Sequence, residues 1–199
     1  IEGAARWLDG QMDRIPLYHR LGVRLLGITH GEGGEESGML QGTPASFGGC
    51  TAQERESARQ SAQGLTDFGR QVLATSNELG IVTDLAHIND CAFYEVLERS
   101  SLPVVMSHTA VFALGGHWRC LTDDQLRALA TAGGVMGIAF MPSFIDPTAP
   151  NLDRLVDHIA YVAELVGSTT WASGQTTTVW VRPCPCRGTS RNYRTSPSP

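Results

Sequence analysis

Three short apolar stretches of this chain each run into a histidine. They occupy residues 25–30, 81–87 and 104–108, and their last residues are His30, His87 and His108. Neutral imidazole is a good zinc ligand and also a general acid or base near neutral pH. Three imidazoles gathered in one place therefore predict a metal site or an acid–base site.

The residues that precede these histidines predict buried strands, because they form short, continuous apolar runs rich in β-branched side chains. A helical pattern follows the second stretch directly and the third after a longer polar loop. In parallel α/β folds the C-terminal ends of the strands form the rim where ligands bind. We therefore expect the three histidines to share one rim.

Helices and strands are predicted to alternate along most of the chain. Three helices are expected to begin at Thr66, Asn89 and the capping box Thr122–Gln125, and two further ones to span 4–21, broken at Pro16, and 151–166. The last helix carries an apolar face made of Leu152, Leu155, Val156, Ile159, Val162 and Leu165. The expected strands are 22–30, 81–86, 103–107 and 135–141.

This alternation, with a period of about 20–25 residues, is typical of βαβ units around a parallel sheet. Four units fit, whereas a complete (β/α)₈ barrel takes about 250 residues. The sequence therefore predicts an α/β fold that is a partial (β/α)₈ TIM-type barrel. The first and last strands are expected to be missing.

Composition narrows the function classes. The chain has 199 residues, 42% of them hydrophobic, and a net charge of −5, which fits one domain or part of a larger one. No basic stripe suited to nucleic acid is present. No apolar run approaches the roughly 18 residues of a membrane span. The start Ile1-Glu2-Gly3 is not a signal peptide and indicates an internal fragment.

The five cysteines show no zinc-finger or redox spacing. Free thiols favour the cytoplasm. The compartment stays open, because both natural ends are expected to be missing and a signal peptide or lipid anchor could have been lost with them. Residues 31–63 are rich in Gly, Ser, Glu and Gln and predict a long loop; loops of this length are usually functional or disordered.

After residue 168 the sequence changes character. Residues 169–199 lack an apolar period and predict a disordered tail. Back-translation with a one-base shift permits the phrase G-S-D-Y-D-G soon after Ser168. Trp171 and Trp180, whose codon is fixed, both fall where the shifted text requires glycine. We therefore interpret 1–168 as a barrel fragment and 169–199 as a non-native, frameshifted tail.

Several phrases together resemble the membrane (renal-type) dipeptidase family, the zinc dipeptidases with an amidohydrolase-like barrel. The matching phrases cover nearly all of residues 1–168 and lie at 1–3, 21–30, 64–69, 79–87, 103–108 and 157–167. The shifted phrase G-S-D-Y-D-G resembles the family's next motif.

The resemblance implies a barrel that holds two zinc ions and cleaves small dipeptides. Glu2 is then the carboxylate that bridges the metals, and His87 and His108 are ligands of the second metal. His30 contacts the substrate, and Arg119 binds the substrate carboxylate. A guanidinium suits that role because its fork matches a carboxylate in two-point geometry. The oligomeric state is left open, with a homodimer as one candidate.

Two parts of the family's site are not found. The H-x-D pair for the first zinc would precede Ile1, and the proton-shuttling aspartate of G-S-D-x-D-G is lost in the frame as written. No catalytic acid or base is therefore assigned within this chain. We expect the chain to bind metal weakly and to be inactive by itself.

Other chemistry-bearing residues are given supporting or structural roles. Asp84 is expected to stabilise the rim through hydrogen bonds, His117 and His158 to be structural, and His19 to lie at the surface. Two alternatives remain open: another metal-dependent amidohydrolase-like hydrolase acting on a cyclic amide, a lactone or a phosphoester, and a non-enzymatic barrel-derived binding protein. Arg119 distinguishes a dipeptidase from the first alternative, since only a substrate with a carboxylate needs this residue. Arg119→Ala should therefore impair a dipeptidase far more than a hydrolase of the other substrates.

Overall fold

A computed structural model describes residues 1–30, 53, 64–173 and 178–183 of the chain. Its helices are α1 (Ala4–Leu8), α2 (Arg14–Arg20), α3 (Asp67–Leu79), α4 (Asp90–Arg99), α5 (Phe112–Gly115), α6 (Asp123–Thr131), α7 (Pro142–Ile145) and α8 (Leu152–Val166). Its strands are β1 (Leu25–Gly27), β2 (Val82–Asp84), β3 (Val105–Thr109), β4 (Val135–Ala139), β5 (Ser168–Ser173) and β6 (Thr178–Pro183).

One sheet joins the six strands in the order β1-β2-β3-β4-β6-β5. Strands β1 to β4 are parallel neighbours in chain order, with Leu25 opposite Val82 and Val105 opposite Val135. Helices α3, α4 and α6 lie between consecutive strands in the sequence, as the βαβ pattern predicts. The C-terminal ends of β1 to β4 therefore share one edge of the sheet.

The predicted helix starts of α3, α4 and α6 are confirmed. Thr66 accepts a hydrogen bond from the backbone N–H of Gly69 (3.1 Å), and Asn89 accepts one from Ala92 (2.8 Å). The capping box that begins at Thr122 is complete, since its N3 side chain also bonds back to the N-cap backbone. These side chains satisfy helical N–H groups that have no partner within the helix.

The predicted helix 4–21 is divided, but not at the predicted residue. The break falls at Asp9 and Gly10, whose φ angles are 50° and 70°. Pro16 is the third residue of α2. A proline costs little there, because the N–H groups of the first turn make no intrahelical bond. The strand predicted over 22–30 is likewise shorter and is limited to β1.

The apolar face of α8 is narrower than the sequence predicts. Leu155, Ile159 and Val162 are buried, whereas Leu152 and Val156 are 72% and 57% exposed. The inward face is centred on Leu155 and Val162 and includes His158, which leaves the other two apolar side chains at its edge. The predicted inward position of Leu152 and Val156 is therefore wrong.

Part of the segment predicted to be a disordered tail forms two strands. β6 pairs antiparallel with β4, and β5 pairs antiparallel with β6. The frameshift origin of this segment stays a prediction. The predicted loop 31–63 lies outside the described residues, apart from Gln53. Within the described part of the chain, the helices are too short or too polar to cross a membrane.

Candidate functional site

Glu2 lies beside β1 because the first residue pairs with that strand. The terminal ammonium of Ile1 donates to the Leu25 carbonyl (2.8 Å), and the Gly27 N–H donates to the Ile1 carbonyl (2.8 Å). A Cβ at Gly27 would lie 3.4 Å from the Glu2 Cα, which is van der Waals contact, so the two backbones pack directly against each other. The pairing places the Glu2 carboxylate at the edge of the sheet where β1 ends.

The three predicted histidines lie at this same edge. His30 lies three residues after the end of β1, and His87 lies three residues after the end of β2. His108 is the fourth residue of β3. The ring centroids of His30 and His87 are 4.5 Å apart, and those of His87 and His108 are 5.0 Å apart. The expectation that the three imidazoles share one rim is therefore met in the structure.

Three donor atoms form a tight triangle at the centre of this group. The His87 Nε2 atom is 3.0 Å from His108 Nε2 and 3.2 Å from Glu2 Oε1, and His108 Nε2 is 3.5 Å from the same oxygen. Ligand atoms about 2.0–2.1 Å from a tetrahedral zinc lie about 3.3 Å from one another. The triangle therefore matches one face of a tetrahedral metal site in size and in donor type.

His30 flanks this triangle on the side of the second carboxylate oxygen. Its Nε2 atom is 3.9 Å from Glu2 Oε2. Glu2, His30 and His87 also offer ligand atoms that all lie within 4.8 Å of one another. We nevertheless place His108 in the candidate metal-binding set. Its Nε2 atom is 3.0 Å from His87 Nε2 and 3.5 Å from Glu2 Oε1, whereas the His30 nitrogen is 3.9 Å from Glu2 Oε2. The His30 side chain is also half exposed, which leaves it open to a substrate.

Burial keeps the two inner imidazoles neutral. Removal from water, reinforced by the neighbouring Arg119 charge, lowers the pKa of His87 from 6.5 to about 2. Burial likewise lowers the pKa of His108, again with Arg119 as the next cause. Because a histidine binds zinc only in its deprotonated form, this part of the site is suited to a metal ion over a wide pH range.

Arg119 lies against both inner histidines. Its Nη1 atom is 2.8 Å from His87 Nδ1, and its Nη2 atom is 3.3 Å from His108 Nε2. A guanidinium only donates, so both ring nitrogens accept, and the proton of neutral His87 is placed on Nε2, which faces Glu2. On His108 the proton is placed on Nδ1, where it is donated to the Ser107 hydroxyl at 2.9 Å.

Aromatic rings flank the guanidinium of Arg119. Its central carbon is 5.8 Å from the Trp118 ring centroid and 5.7 Å from the Phe144 ring centroid. The backbone carbonyl of Arg119 accepts a hydrogen bond from the Thr109 hydroxyl (2.8 Å). This bond anchors the loop that carries Arg119 to the end of β3. Burial lowers the pKa of Arg119 to about 10, so the side chain stays a cation at neutral pH.

Asp84 ties the ends of β2 and β3 together. Its buried Oδ1 atom accepts hydrogen bonds from the backbone N–H of Ala86 (3.0 Å) and of Ser107 (2.9 Å). Each of these residues directly precedes one of the inner histidines, His87 and His108. His87 itself has a φ of 68°, a conformation that costs free energy in a residue with a side chain. Asp84 thus stabilises the backbone that directs both imidazoles.

The other histidines lie outside the triangle. His19 is part of α2, and His117 packs against Phe144 with ring centroids 4.6 Å apart. His158 is fully buried in α8. Sequence reasoning missed Phe144 as a neighbour of Arg119, and no periodic pattern marks it, since α7 has only four residues.

The family model described as membrane dipeptidase (peptidase family M19) matches residues 1–176. The chain belongs to this family. The α/β class with a parallel sheet is therefore confirmed both by the strand order and by the structures of family members.

A curated dipeptidase and two solved peptidase structures are similar to most of this chain. The dipeptidase tcpJ of Claviceps purpurea is 28% identical over 155 residues, which are 77% of this chain and 33% of that protein. A metallo peptidase of Rhodobacter sphaeroides, liganded with a phosphinate mimic of the dipeptide L-Ala-D-Ala, has a TM-score of 0.67 and 28% identity over 79% of this chain and 43% of its own. The M19 dipeptidase AC has a TM-score of 0.66 and 27% identity, over 79% of this chain and 44% of its own. The chain thus spans less than half the length of each of these relatives.

Proposed function

We propose that this chain carries part of the active site of a zinc-dependent dipeptidase. The observation that supports this most is the triangle of Glu2 Oε1, His87 Nε2 and His108 Nε2, with edges of 3.0–3.5 Å. Zinc in such a site lowers the pKa of bound water and polarises a carbonyl group. The two nitrogen donors and one carboxylate oxygen are ligands that zinc prefers.

Each residue of the site has a separate role in this proposal. Glu2, His87 and His108 would hold one zinc, and the other oxygen of Glu2, which lies 3.9 Å from His30 Nε2, would be available to a second ion. The half-exposed His30 contacts the substrate and donates a hydrogen bond to the oxygen on which negative charge develops.

Arg119 binds the free carboxylate of the dipeptide. Arg119 is 9% exposed and its guanidinium lies within 6 Å of two aromatic ring centroids, where an ion pair is weakly screened by solvent. A buried cation beside the metal ligands favours a short substrate whose C-terminal carboxylate lies one residue from the cleaved bond. This favours a dipeptidase over a hydrolase of cyclic amides, lactones or phosphoesters.

Calorimetric titration of the zinc-loaded chain with Ala-Ala and with its C-terminal amide tests this assignment. Loss of a two-point ion pair to Arg119 should weaken binding of the amide about tenfold or more, and Arg119→Ala should abolish the difference. Equal binding of acid and amide by the unmodified chain would contradict the carboxylate-binding role.

We further propose that the 199-residue chain does not hydrolyse dipeptides at an appreciable rate by itself. Its described residues supply one set of three donors, and the aspartate expected to shuttle protons is not encoded in its frame. Incubation of Ala-Ala with the chain and added zinc should leave the dipeptide intact. Sustained turnover that disappears in His87→Ala would overturn this part of the proposal.

A further inference from the structure

His158 makes two hydrogen bonds to backbone groups outside its own helix. Its Nδ1 atom accepts from the Val111 N–H (3.0 Å), and its Nε2 atom donates to the Ile145 carbonyl (2.9 Å). The residue is 0% exposed. One buried ring thus links α8 to the segment that follows β3 and to the segment that follows β4.

Both bonds require one particular form of the ring. An acceptor at Nδ1 and a donor at Nε2 define the neutral imidazole with its proton on Nε2. Burial lowers the pKa of His158, which favours this neutral form. A leucine of similar volume would fill the space but would leave a buried N–H and a buried C=O without partners.

The first segment that His158 contacts carries Arg119. Val111 begins a loop that closes on itself, since Phe112 N–H donates to the Leu121 carbonyl (2.8 Å) and Leu121 N–H donates to the Ala110 carbonyl (2.9 Å). Arg119 lies within this closed loop, two residues before its end. A shift of Val111 therefore moves the backbone from which the guanidinium extends.

The second segment that His158 contacts carries one of the rings beside that guanidinium. Ile145 directly follows Phe144, whose ring centroid is 5.7 Å from the Arg119 guanidinium carbon. The Phe144 carbonyl also accepts a bond from the Cys120 thiol (3.7 Å). The two segments therefore meet at Arg119 on the rim and at His158 within the fold.

We propose that His158 is a positioning residue that fixes Arg119 between the loops after β3 and β4, and so sets the affinity of the site for the substrate carboxylate. The proposal rests on the carboxylate-binding role of Arg119 stated above. His158 touches neither substrate nor metal, and it acts only through Val111 and Ile145. Its loss should therefore affect carboxylate binding and leave the Glu2–His87–His108 triangle in place.

Three substitutions separate the two bonds. His158→Asn retains a polar atom near the position of Nδ1 and can serve Val111, while His158→Gln reaches toward Ile145, and His158→Leu retains neither bond. His19→Asn in α2 is the matched control for removal of a histidine. Each variant is titrated with zinc and, once zinc-loaded, with Ala-Ala and its amide.

The proposal predicts that His158→Leu weakens Ala-Ala binding about tenfold or more, since small displacements of binding groups are costly. Zinc affinity should not fall, since the contact of Arg119 with His87 opposes metal binding, and amide affinity should change less than about twofold. The Asn and Gln variants should each recover part of the loss. Equal loss of zinc and Ala-Ala affinity, or an unchanged Ala-Ala affinity, would overturn the proposal.

A second measurement applies if His158→Leu does not fold. It also applies if the unmodified chain binds Ala-Ala and its C-terminal amide equally. The NMR signal of the Arg119 side-chain Nε–H in the metal-free chain should shift in His158→Asn and His158→Gln but not in His19→Asn. An Arg119 signal unchanged in both His158 variants would refute the positioning role. Failure of the acid–amide comparison alone would refute the role of Arg119 in the proposed function.

Discussion

The Nη1 atom of Arg119 lies 2.8 Å from the Nδ1 atom of His87, and the Nε2 atom of the same ring lies 3.2 Å from the Glu2 carboxylate. One imidazole therefore joins the proposed carboxylate-binding residue to the proposed metal ligands. For His87 to bind zinc through Nε2, its proton must move to Nδ1. A proton on Nδ1 faces the guanidinium, so metal binding and this contact oppose each other.

Arg119→Ala should therefore bind zinc more tightly than the unmodified chain. This substitution removes a positive charge next to the proposed metal ligands. It also removes the hydrogen-bond donor that disfavours a proton on His87 Nδ1. We expect a gain of about tenfold in zinc affinity, typical for a neighbour that acts on a metal ligand, measured by calorimetry.

Arg119→Lys serves as the matched variant for this comparison. It keeps the charge but loses the fork, so its zinc affinity should remain near that of the unmodified chain. A weaker zinc affinity in Arg119→Ala would show that the guanidinium supports metal binding rather than opposing it.

Asp84→Ala should lower the free energy of unfolding by about 2–3 kcal/mol, because two buried N–H groups lose their acceptor. Asp84→Asn keeps an acceptor oxygen and should lose about 1 kcal/mol. Asp153→Ala in the exposed first turn of α8 is the control and should cost less than about 1 kcal/mol. Urea unfolding measures all three, and equal stability of the Ala and Asn variants would contradict the role of the Oδ1 atom.

Gly115→Ala should destabilise the contact between α5 and α7. A Cβ at Gly115 would overlap the Phe144 carbonyl oxygen, which belongs to the backbone and cannot turn away. We expect a loss of about 1–3 kcal/mol, as for other overpacked positions. Gly116→Asn is the control, since a Cβ there meets nothing within 4 Å and asparagine tolerates its φ of 67°. Thermal unfolding in which the two variants are equally stable would argue against this close contact.

The metal-free chain should lose stability as the pH falls from about 7 to 5. The pKa values of His87, His108 and His158 are lowered from 6.5 in the fold, so the unfolded chain binds more protons below that pH. Stability is therefore complete above pH 6.5 and falls below it, by up to about 1.4 kcal/mol per pH unit for each group.

The carboxyl groups with lowered pKa values do not account for this slope. Glu95 and Asp146 have ordinary pKa values of 4.5 and 3.8, and their stabilisation is lost only below those pH values. The charged groups that act on His158 are Arg154, Asp157 and Asp146. Urea unfolding of His158→Asn at several pH values should show a shallower slope between pH 7 and 5, and an unchanged slope would contradict the buried neutral His158.

The sequence predicted the elements with strong local signals. Thr66, Asn89 and the Thr122 capping box mark helix starts through hydrogen bonds within four residues of the chain, so the pattern and the structure agree. The βαβ alternation likewise predicted a parallel sheet, which brings the ends of β1, β2 and β3 to one rim. The proximity of His30, His87 and His108 follows from that order.

The contacts around Arg119 were beyond sequence reasoning for a physical reason. Phe144 and His158 lie at Arg119 or behind it only because two loops fold toward each other, and loop geometry leaves no periodic pattern in the sequence. At Val156, by contrast, the sequence predicted a contact with the core that the structure does not contain. Its spacing fits a helical apolar face, but helix periodicity does not determine how far α8 is rotated about its axis.

Zinc titration of the chain with its accessible cysteines alkylated measures metal binding at Glu2, His87 and His108 without competition from accessible thiolates, while the buried Cys120 stays unmodified. We expect one zinc bound per chain, with affinity lowered about tenfold or more in each of Glu2→Gln, His87→Ala and His108→Ala, and unchanged in His19→Asn. Zinc binding of equal affinity in the unmodified chain and in all four variants would show that Glu2, His87 and His108 do not form a metal site.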